Sequence, residues 1–398
     1  MNPHHDPILC IVPPHILHAL AASDDEKLRE IGLRSLIASS RLRGRRDIFA
    51  QSALGTPTGT LRRTIYDAKN NTTLPGDLVR SEGGPLSSDQ AVNEAYDGLG
   101  ATYKLYSDIY HRNSIDDLGM RLDASVHFGQ DYDNAFFDGR QMVFGDGDGV
   151  IFTGFTKAID VIGHELTHGV TQFTADLEYH DQSGALNESM SDVFGSLVKQ
   201  YSKKQTAAKA DWLIGSGILA PGVNGQALRS MKAPGTAYDD DRLGGKDPQP
   251  AHMSDYVDLP NTESGDHGGV HINSGIPNHA FYLAAVAIAG PSDNAWDGAG
   301  LIWYNALLRL WRTAQFQDCA DVTHEVAGTL FGTNSAQQQA VGQAWSNVGI
   351  EIQATSAAAR SRAAKSRGRA AAKASGNGNL KKELEHALSE LSGIMERM

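Results

Sequence analysis

The segment His164-Glu165-Leu166-Thr167-His168 sets two imidazoles four residues apart. On an α-helix that spacing separates them by about 40° in azimuth, so both leave one face and converge on one point. Two neutral imidazoles suit a zinc ion. Glu165, beside the first of them, can reach a water on that ion without being a ligand. A catalytic zinc needs a third protein ligand and an open fourth position. Glu188 lies 20 residues after His168 on a second helical pattern, with Asp192 four residues further along the same face. Glu188 can complete a His₂Glu set, and Asp192 can accept the free ring N–H of a ligand histidine. Alone, this pair reads as an ordinary acidic helix face; beside the histidine motif it reads as a metal site.

A second cluster runs Asp266-His267-Gly268-Gly269-Val270-His271-Ile272-Asn273-Ser274-Gly275. Glycines bring backbone close to a neighbour, Asp266 can orient an imidazole, and His271 can then be a charged donor. The spacing reads equally well as a glycine loop with a structural histidine. Asp146 and Asp148, within Gly145–Gly149, suggest calcium, but the spacing and terminal glutamate of an EF-hand are missing, and a glycine turn is expected. Cys319 sits in a helical pattern and reads as a buried apolar thiol.

The elements that must position these groups change character along the chain. Residues 1–50 look like a separate unit. An extended, proline-stiffened run at 12–17 leads into a helical pattern at 24–42 and the basic run Arg41, Arg43, Arg45, Arg46. Residues 55–150 read as strands and hairpins, with Asp138-Gly139 as a tight hairpin turn. A helical stripe interrupts them from Ala91 to Tyr110. From about 156 the pattern turns helical: Ile159, Ile162, Leu166, Val170 and Phe173 form one stripe. Further helices are expected at 186–202, 276–290, 299–315, 318–331 and 335–348. Strands followed by helices predict an α+β fold of two lobes. Residues 353–379 are low in complexity and basic, and 380–397 form a short amphipathic pattern.

The 398 residues carry a net charge of −12 and only two cysteines, so a disulfide scaffold is excluded. Residues 51–354 hold −18 of net charge, residues 1–50 hold +1 and residues 355–398 hold +5. An acidic body argues against nucleic-acid binding. No run is long and apolar enough for a transmembrane helix. The first 20 residues lack a basic start, an apolar core and a small-residue cleavage site. A cytoplasmic protein or export by a non-Sec route is therefore expected.

In order along the chain, Asn134-Ala-Phe, Gly145-Asp-Gly-Asp-Gly149, His164-Glu-Leu-Thr-His168, Gly184-Ala-Leu-Asn-Glu-Ser-Met-Ser-Asp192, Leu228-Arg-Ser-Met231 and Gly268-Gly-Val-His-Ile-Asn-Ser-Gly275 resemble the motifs of the thermolysin family of zinc metalloendopeptidases. The likeness covers roughly residues 56–352. Pro13-Pro-His-Ile-Leu17 resembles the short prosegment of the protealysin-like branch. The resemblance implies a prosegment at 1–50, a β-rich catalytic lobe at 51–175, a helical catalytic lobe at 176–352 and a tail at 353–398.

It also implies roles. His164, His168 and Glu188 would bind one catalytic Zn²⁺, with Glu165 as general base. Asp192 would support His164, and Asn187 would support His168. Tyr179 and His271 would hydrogen-bond the oxyanion, and Asp266 would orient His271. Asn134 and the Ala135 carbonyl would hold the substrate backbone, and Arg229 would bind a substrate carbonyl. Phe152, Val161 and Leu228 would line an apolar pocket, so cleavage is expected on the amino side of Leu, Ile, Val or Phe. Expected partners are peptide or protein substrates and the chain's own prosegment, acting as an inhibitor until cleavage around 45–52. A monomer is expected, and secretion is favoured. Cys10, close to the docking prosegment, offers an alternative thiol ligand.

One departure stands out. Where thermolysin clusters acids around a pair of calcium ions, this chain keeps Asp160 and Asp211 but has Lys199, Leu213 and Ser216. The paired calcium site reads as lost, with the Lys199 ammonium in its place. The competing functional reading is a latent or non-catalytic metal-binding protein whose basic tail recruits partners.

Overall fold

The computed structural model describes residues 9–49 and 60–353, without the side chains of 9 and 40–49. The tail from 354 onward, with its basic run and amphipathic pattern, lies outside the described residues, as do 50–59, which include the end of the processing region expected around 45–52. The chain opens with strand β1, Leu9–Cys10. Pro13 is extended, and helix α1, Pro14–Ala21, starts at Pro14. The extended run expected at 12–17 therefore stops halfway. Proline suits the first helical position, where its missing N–H has no intrahelical partner to lose and its φ is already helical. Helix α2, Glu26–Phe49, follows; the basic run expected to be a joint at Arg41–Arg46 lies within it. Ile16, Leu17, Leu20, Leu28 and Ile31 are buried. Gly32 makes the α1–α2 crossing feasible, since a Cβ there would lie 2.4 Å from the Ala21 nitrogen.

Strands β2 (Arg63–Asp67) and β3 (Asp77–Ser81), helix α3 (Gln90–Tyr110), and strands β4 (Leu122–Val126), β5 (Ala135–Phe137) and β6 (Gln141–Phe144) come next. With β1 they form a six-stranded sheet in the order β1-β5-β6-β4-β2-β3. The β2–β4 and β4–β6 pairs are parallel and the others antiparallel. The expected Asp138-Gly139 turn joins β5 to β6. Gly139 has φ 94°, and the Asp138 carboxylate accepts from the Arg140 and Gln141 N–H groups at 2.9 Å. β1 adds itself to the outer edge of β5, with Leu9 opposite Phe137 and Cys10 opposite Phe136.

His127, just after β4, ties this lobe together. Its Nδ1 lies 2.8 Å from Asp146, in the glycine turn, and its Nε2 2.7 Å from Asp89, the N-cap of α3. The bond to Asp146 leads in raising its pKa to about 9, against partial burial. The folded value lies above the free value of 6.5, so this stabilisation is complete below pH 6.5 and disappears as pH rises through about 9. Half-exposure screens it to about 1 kcal/mol. Asn tolerates the φ of 54° at this position. His127→Asn will therefore lower the Tm at pH 6 and leave it close to wild type at pH 10. Thermal unfolding across pH checks this; an equal deficit at both ends would contradict it.

Helix α4, Ile159–Gln172, carries the histidine motif, and α5, Asp181–Lys203, carries Glu188 and Asp192. Short strands β7 (Leu213–Ile214), β8 (Arg229–Ser230), β9 (Asp239–Asp240) and β10 (Gly245–Lys246) follow. Two-residue strands leave no alternation to read, and none was expected. Helices α6 (Asp266–Asn273), α7 (Gly275–Ala289), α8 (Ala299–Leu307), α9 (Phe316–Phe331) and α10 (Ala336–Asn347) complete the second lobe. The helix expected over 299–315 ends at Leu307, the one expected from 186 begins at Asp181, and the others fall close to their expected bounds. The α+β, two-lobed fold expected from the sequence is the one observed.

Candidate active site

The site rests on how closely α4 and α5 approach. A Cβ on Gly195 would lie 2.5 Å from the Asp160 carbonyl oxygen, and one on Gly163 3.1 Å from the Gly195 Cα. Glycine on both helices lets their backbones meet. This contact sets His164 and His168 on α4 against Glu188 on α5. The three side chains are fully buried, and one ligand atom from each lies within 4.8 Å of the others. His164 Nε2 is 3.4 Å from one Glu188 oxygen and His168 Nε2 is 3.5 Å from the other.

Their outer partners fix which nitrogen faces inward. His164 Nδ1 lies 2.8 Å from Asp192 Oδ1, and His168 Nδ1 lies 2.9 Å from both Asn187 Oδ1 and Ser191 Oγ. A carboxylate at Nδ1 holds the proton there and leaves the Nε2 lone pair of His164 pointing inward. That Nε2 and Glu188 Oε2 are buried without a hydrogen-bond partner. Two inward imidazole nitrogens and a carboxylate fit a tetrahedral zinc site with one position open. Cys10 is not in this group. Its side chain packs with Phe128, Tyr132, Phe136 and Val143, which argues against the alternative of a thiol ligand.

Asp192 does more than hold His164. Arg229 grips it with two bonds of 2.8 Å, and Asn278 Nδ2 adds a third at 2.8 Å. Burial would raise the Asp192 pKa, but the Arg229 charge and the bonds from His164 and Arg229 hold it well below the usual carboxylate range. Sequence reading assigned Arg229 only to substrate and missed Asn278 and Ser191. Ser191 had a visible signal, since it lies four residues after Asn187 on the same helix face. Asn278, on a different helix, had none.

On the other side of Glu188, Tyr179 donates to Glu188 Oε1 and lies 3.2 Å from His271 Nε2. Asp266 folds back on His271, accepting from its backbone N–H at 2.8 Å and its Nδ1 at 2.6 Å. This needs the left-handed run at the start of α6, where Gly268 has φ 87° and Gly269 φ 76°. At Gly268 a Cβ would also meet Asp181 Oδ1 at 2.2 Å. The 266–275 segment is therefore a kinked helix start and not an open loop. Burial opposes the charge on His271, but Glu188 and Asp266 outweigh it and push its pKa up to about 9.

Residues 10–12 run through the cleft beside these groups. The Cys10 carbonyl accepts from His271 Nε2 at 3.0 Å, and the Ile11 carbonyl accepts from Arg229 Nη1 at 3.0 Å. The Ile11 N–H donates to the Ala135 carbonyl at 3.3 Å, and the Val12 N–H donates to Asn134 Oδ1 at 3.0 Å. His15 meets the Tyr238 hydroxyl at 3.0 Å, and Ser39 meets that of Tyr132 at 3.0 Å. Phe152, Val161 and Leu228 are all buried. Burial and then the Glu188 charge push the Glu165 carboxyl up; Arg229 and the Phe137 and Ile11 backbone N–H groups oppose this.

The acids of the Gly145–Gly149 turn serve the turn itself. Asp148 Oδ1 accepts from the N–H groups of Val150, Ile151 and Phe152, while Asp146 binds His127. Further along α5, Lys199 Nζ lies 2.9 Å from Asp160, 2.9 Å from Asp211 and 2.6 Å from the Leu213 carbonyl oxygen. Cys319 is fully buried.

Comparison with known proteins agrees with this geometry. Residues 53–172 match the family description "Thermolysin metallopeptidase, catalytic domain", and residues 175–350 match "Thermolysin metallopeptidase, alpha-helical domain". An extracellular metalloprotease of Pectobacterium carotovorum subsp. carotovorum is 50% identical over 349 residues, 87% of this chain and 98% of that relative. Protease PrtS of Photorhabdus sp. (strain Az29) is 48% identical over 350 residues, 86% of this chain and 92% of that protein. The solved precursor of protealysin, a metalloproteinase from Serratia proteamaculans, is similar at a TM-score of 0.77 and 50% identity, over 86% of this chain and 99% of that one. With its His₂Glu cluster on two tightly packed helices and both family descriptions matched along its length, the chain belongs to the thermolysin family of zinc metallopeptidases.

Proposed function

We propose that the chain is an endopeptidase precursor that cuts on the amino side of bulky apolar residues once residues 1–50 leave the cleft. The observation that carries this reading is the seating of residues 10–12 on the groups expected to hold substrate. Zinc held by His164, His168 and Glu188 would polarise the scissile carbonyl and acidify a water from a pKa of about 15.7 towards 7. Glu165 accepts the proton of the attacking water and passes it to the leaving amine. His271, oriented by Asp266, and Tyr179 donate to the carbonyl oxygen as its charge grows. Asn134 and Ala135 hold the substrate backbone, and Arg229 binds the carbonyl after the scissile bond. Phe152, Val161 and Leu228 line the pocket for the side chain that follows that bond.

The test is hydrolysis of matched peptides by the zinc-loaded, processed enzyme. A peptide with Leu after the scissile bond should exceed the same peptide with Asp there by at least about 10²-fold in kcat/KM, because the pocket offers an ionised side chain no partner. Equal rates would overturn the pocket assignment.

We also infer that no calcium pair binds near Asp160. Calcium takes six to eight oxygen ligands, whereas here the Lys199 ammonium stands between Asp160 and Asp211. Lys199→Met would leave the buried Asp160 without its counter-charge and cost about 3 kcal/mol; Asp211, half-exposed, keeps access to water. Unfolding of zinc-loaded protein should be unchanged by a calcium-selective chelator. A drop of many degrees, restored by calcium, would refute this. The described residues include no helix long and apolar enough to cross a membrane. The extracellular relative supports secretion of this chain.

A further inference from the structure

We propose that the Cys10–Ile11 peptide bond is itself a cleavage site: this active centre cuts its own prosegment there, in cis. The inference rests on the catalytic reading above and adds a second processing bond, distant from the expected cut around 45–52.

A substrate must present its scissile carbonyl to the oxyanion donors, and the Cys10 carbonyl oxygen is the one 3.0 Å from His271 Nε2. The leaving N–H is that of Ile11, and Glu165, the carboxylate expected to carry the proton, is fully buried with both oxygens lacking a hydrogen-bond partner. The same N–H reaches the Ala135 carbonyl at 3.3 Å, the next carbonyl reaches Arg229 at 3.0 Å, and the next N–H reaches Asn134 at 3.0 Å. Four successive backbone groups thus alternate acceptor and donor in the order the site requires. A segment running the opposite way would set N–H groups against the Arg229 and His271 donors. The side chains agree: Ile11, fully buried, is a β-branched apolar residue directly after the bond, as the expected specificity requires. Cys10 belongs to the buried cluster of Phe128, Tyr132 and Phe136 and not to the His164, His168 and Glu188 group.

The step balances as simple hydrolysis. The water oxygen bonds to the Cys10 carbonyl carbon and the C–N bond breaks. Glu165 carries the two water protons in turn to the Ile11 nitrogen, the first as the water attacks and the second from the new carboxyl group, leaving a Cys10 carboxylate and an Ile11 ammonium. Among the described residues, Leu9 and Cys10 are then held by the β1–β5 pairing and the packing of Cys10. Departure of the decapeptide frees the His271 donor that the Cys10 carbonyl occupies.

The experiment is intact-mass measurement with N-terminal sequencing of the zinc-loaded full-length chain, incubated at several concentrations. A new N-terminus at Ile11 is expected, appearing at a rate independent of concentration. Glu165→Gln should slow it by at least about 10²-fold. Ile11→Leu should keep the cut, while Ile11→Asp should lose it and, because its prosegment docks weakly, hydrolyse an added Leu peptide sooner than wild type. If Ile11→Asp hydrolyses the peptide while wild-type chains keep the Cys10–Ile11 bond, this proposal falls and the peptidase reading stands. A rate proportional to concentration overturns cleavage in cis. Absence of peptide hydrolysis by every form overturns both.

Discussion

Glu165→Gln will bind zinc as the wild-type chain does and lose peptide hydrolysis by about 10²–10⁴-fold. The two halves of this expectation have separate origins. Glu165 lies outside the His164, His168 and Glu188 cluster, so its loss removes no ligand. Gln keeps the size of the side chain in a fully buried position, so packing survives. What Gln lacks is a basic oxygen to take a proton from water and return it to the leaving amine. Metal content by elemental analysis and kcat on a Leu peptide, read on the same preparation, check the two halves. A variant that loses its zinc, or one that keeps more than a tenth of the rate, would remove the general-base assignment.

Asp192→Ala will damage stability and metal binding together. Its carboxylate is the common acceptor for His164, Arg229 and Asn278. Removing it strips the buried Arg229 guanidinium of its only ion-pair partner among the described residues, which costs about 3–5 kcal/mol. It also frees the His164 ring to change tautomer and tilt, which lowers zinc affinity by about 10–100-fold. Denaturant unfolding and a zinc titration against a competing chelator measure the two effects. An Asp192→Ala chain with unchanged zinc affinity would show that the Nδ1 bond does not hold the ligand.

The sequence revealed features whose partners are local or periodic. His164 and His168 were readable because an i, i+4 pair on a helix must share a face, and Glu188 with Asp192 for the same reason. Asp138-Gly139 was readable because few dipeptides suit so tight a turn. Lys199 against Asp160 was readable because a cation stands where acids would cluster. Contacts across long loops stayed hidden. Arg229 reaches Asp192 through a two-residue strand with no pattern to betray it, and Asn278 arrives from another helix. Pro13-Pro14 suggested extension, although the second proline starts a helix; the same residues do both, and only packing decides. The kink at Gly268 and Gly269 was visible as composition, but its purpose, bending Asp266 back onto His271, depends on Asp181 filling the space a side chain would need.

The central claim is that one chain holds both a zinc peptidase and the segment that fills its cleft. The most direct measurement is the progress curve of Leu-peptide hydrolysis by the zinc-loaded full-length chain, sampled in parallel for the mass of the N-terminal region. The predicted curve has a lag and then accelerates as residues of the 1–50 segment are lost. Hydrolysis at the final rate from the first point, with the segment intact, would contradict the claim. So would a chain that has shed the segment, retains its zinc and still leaves the peptide uncut.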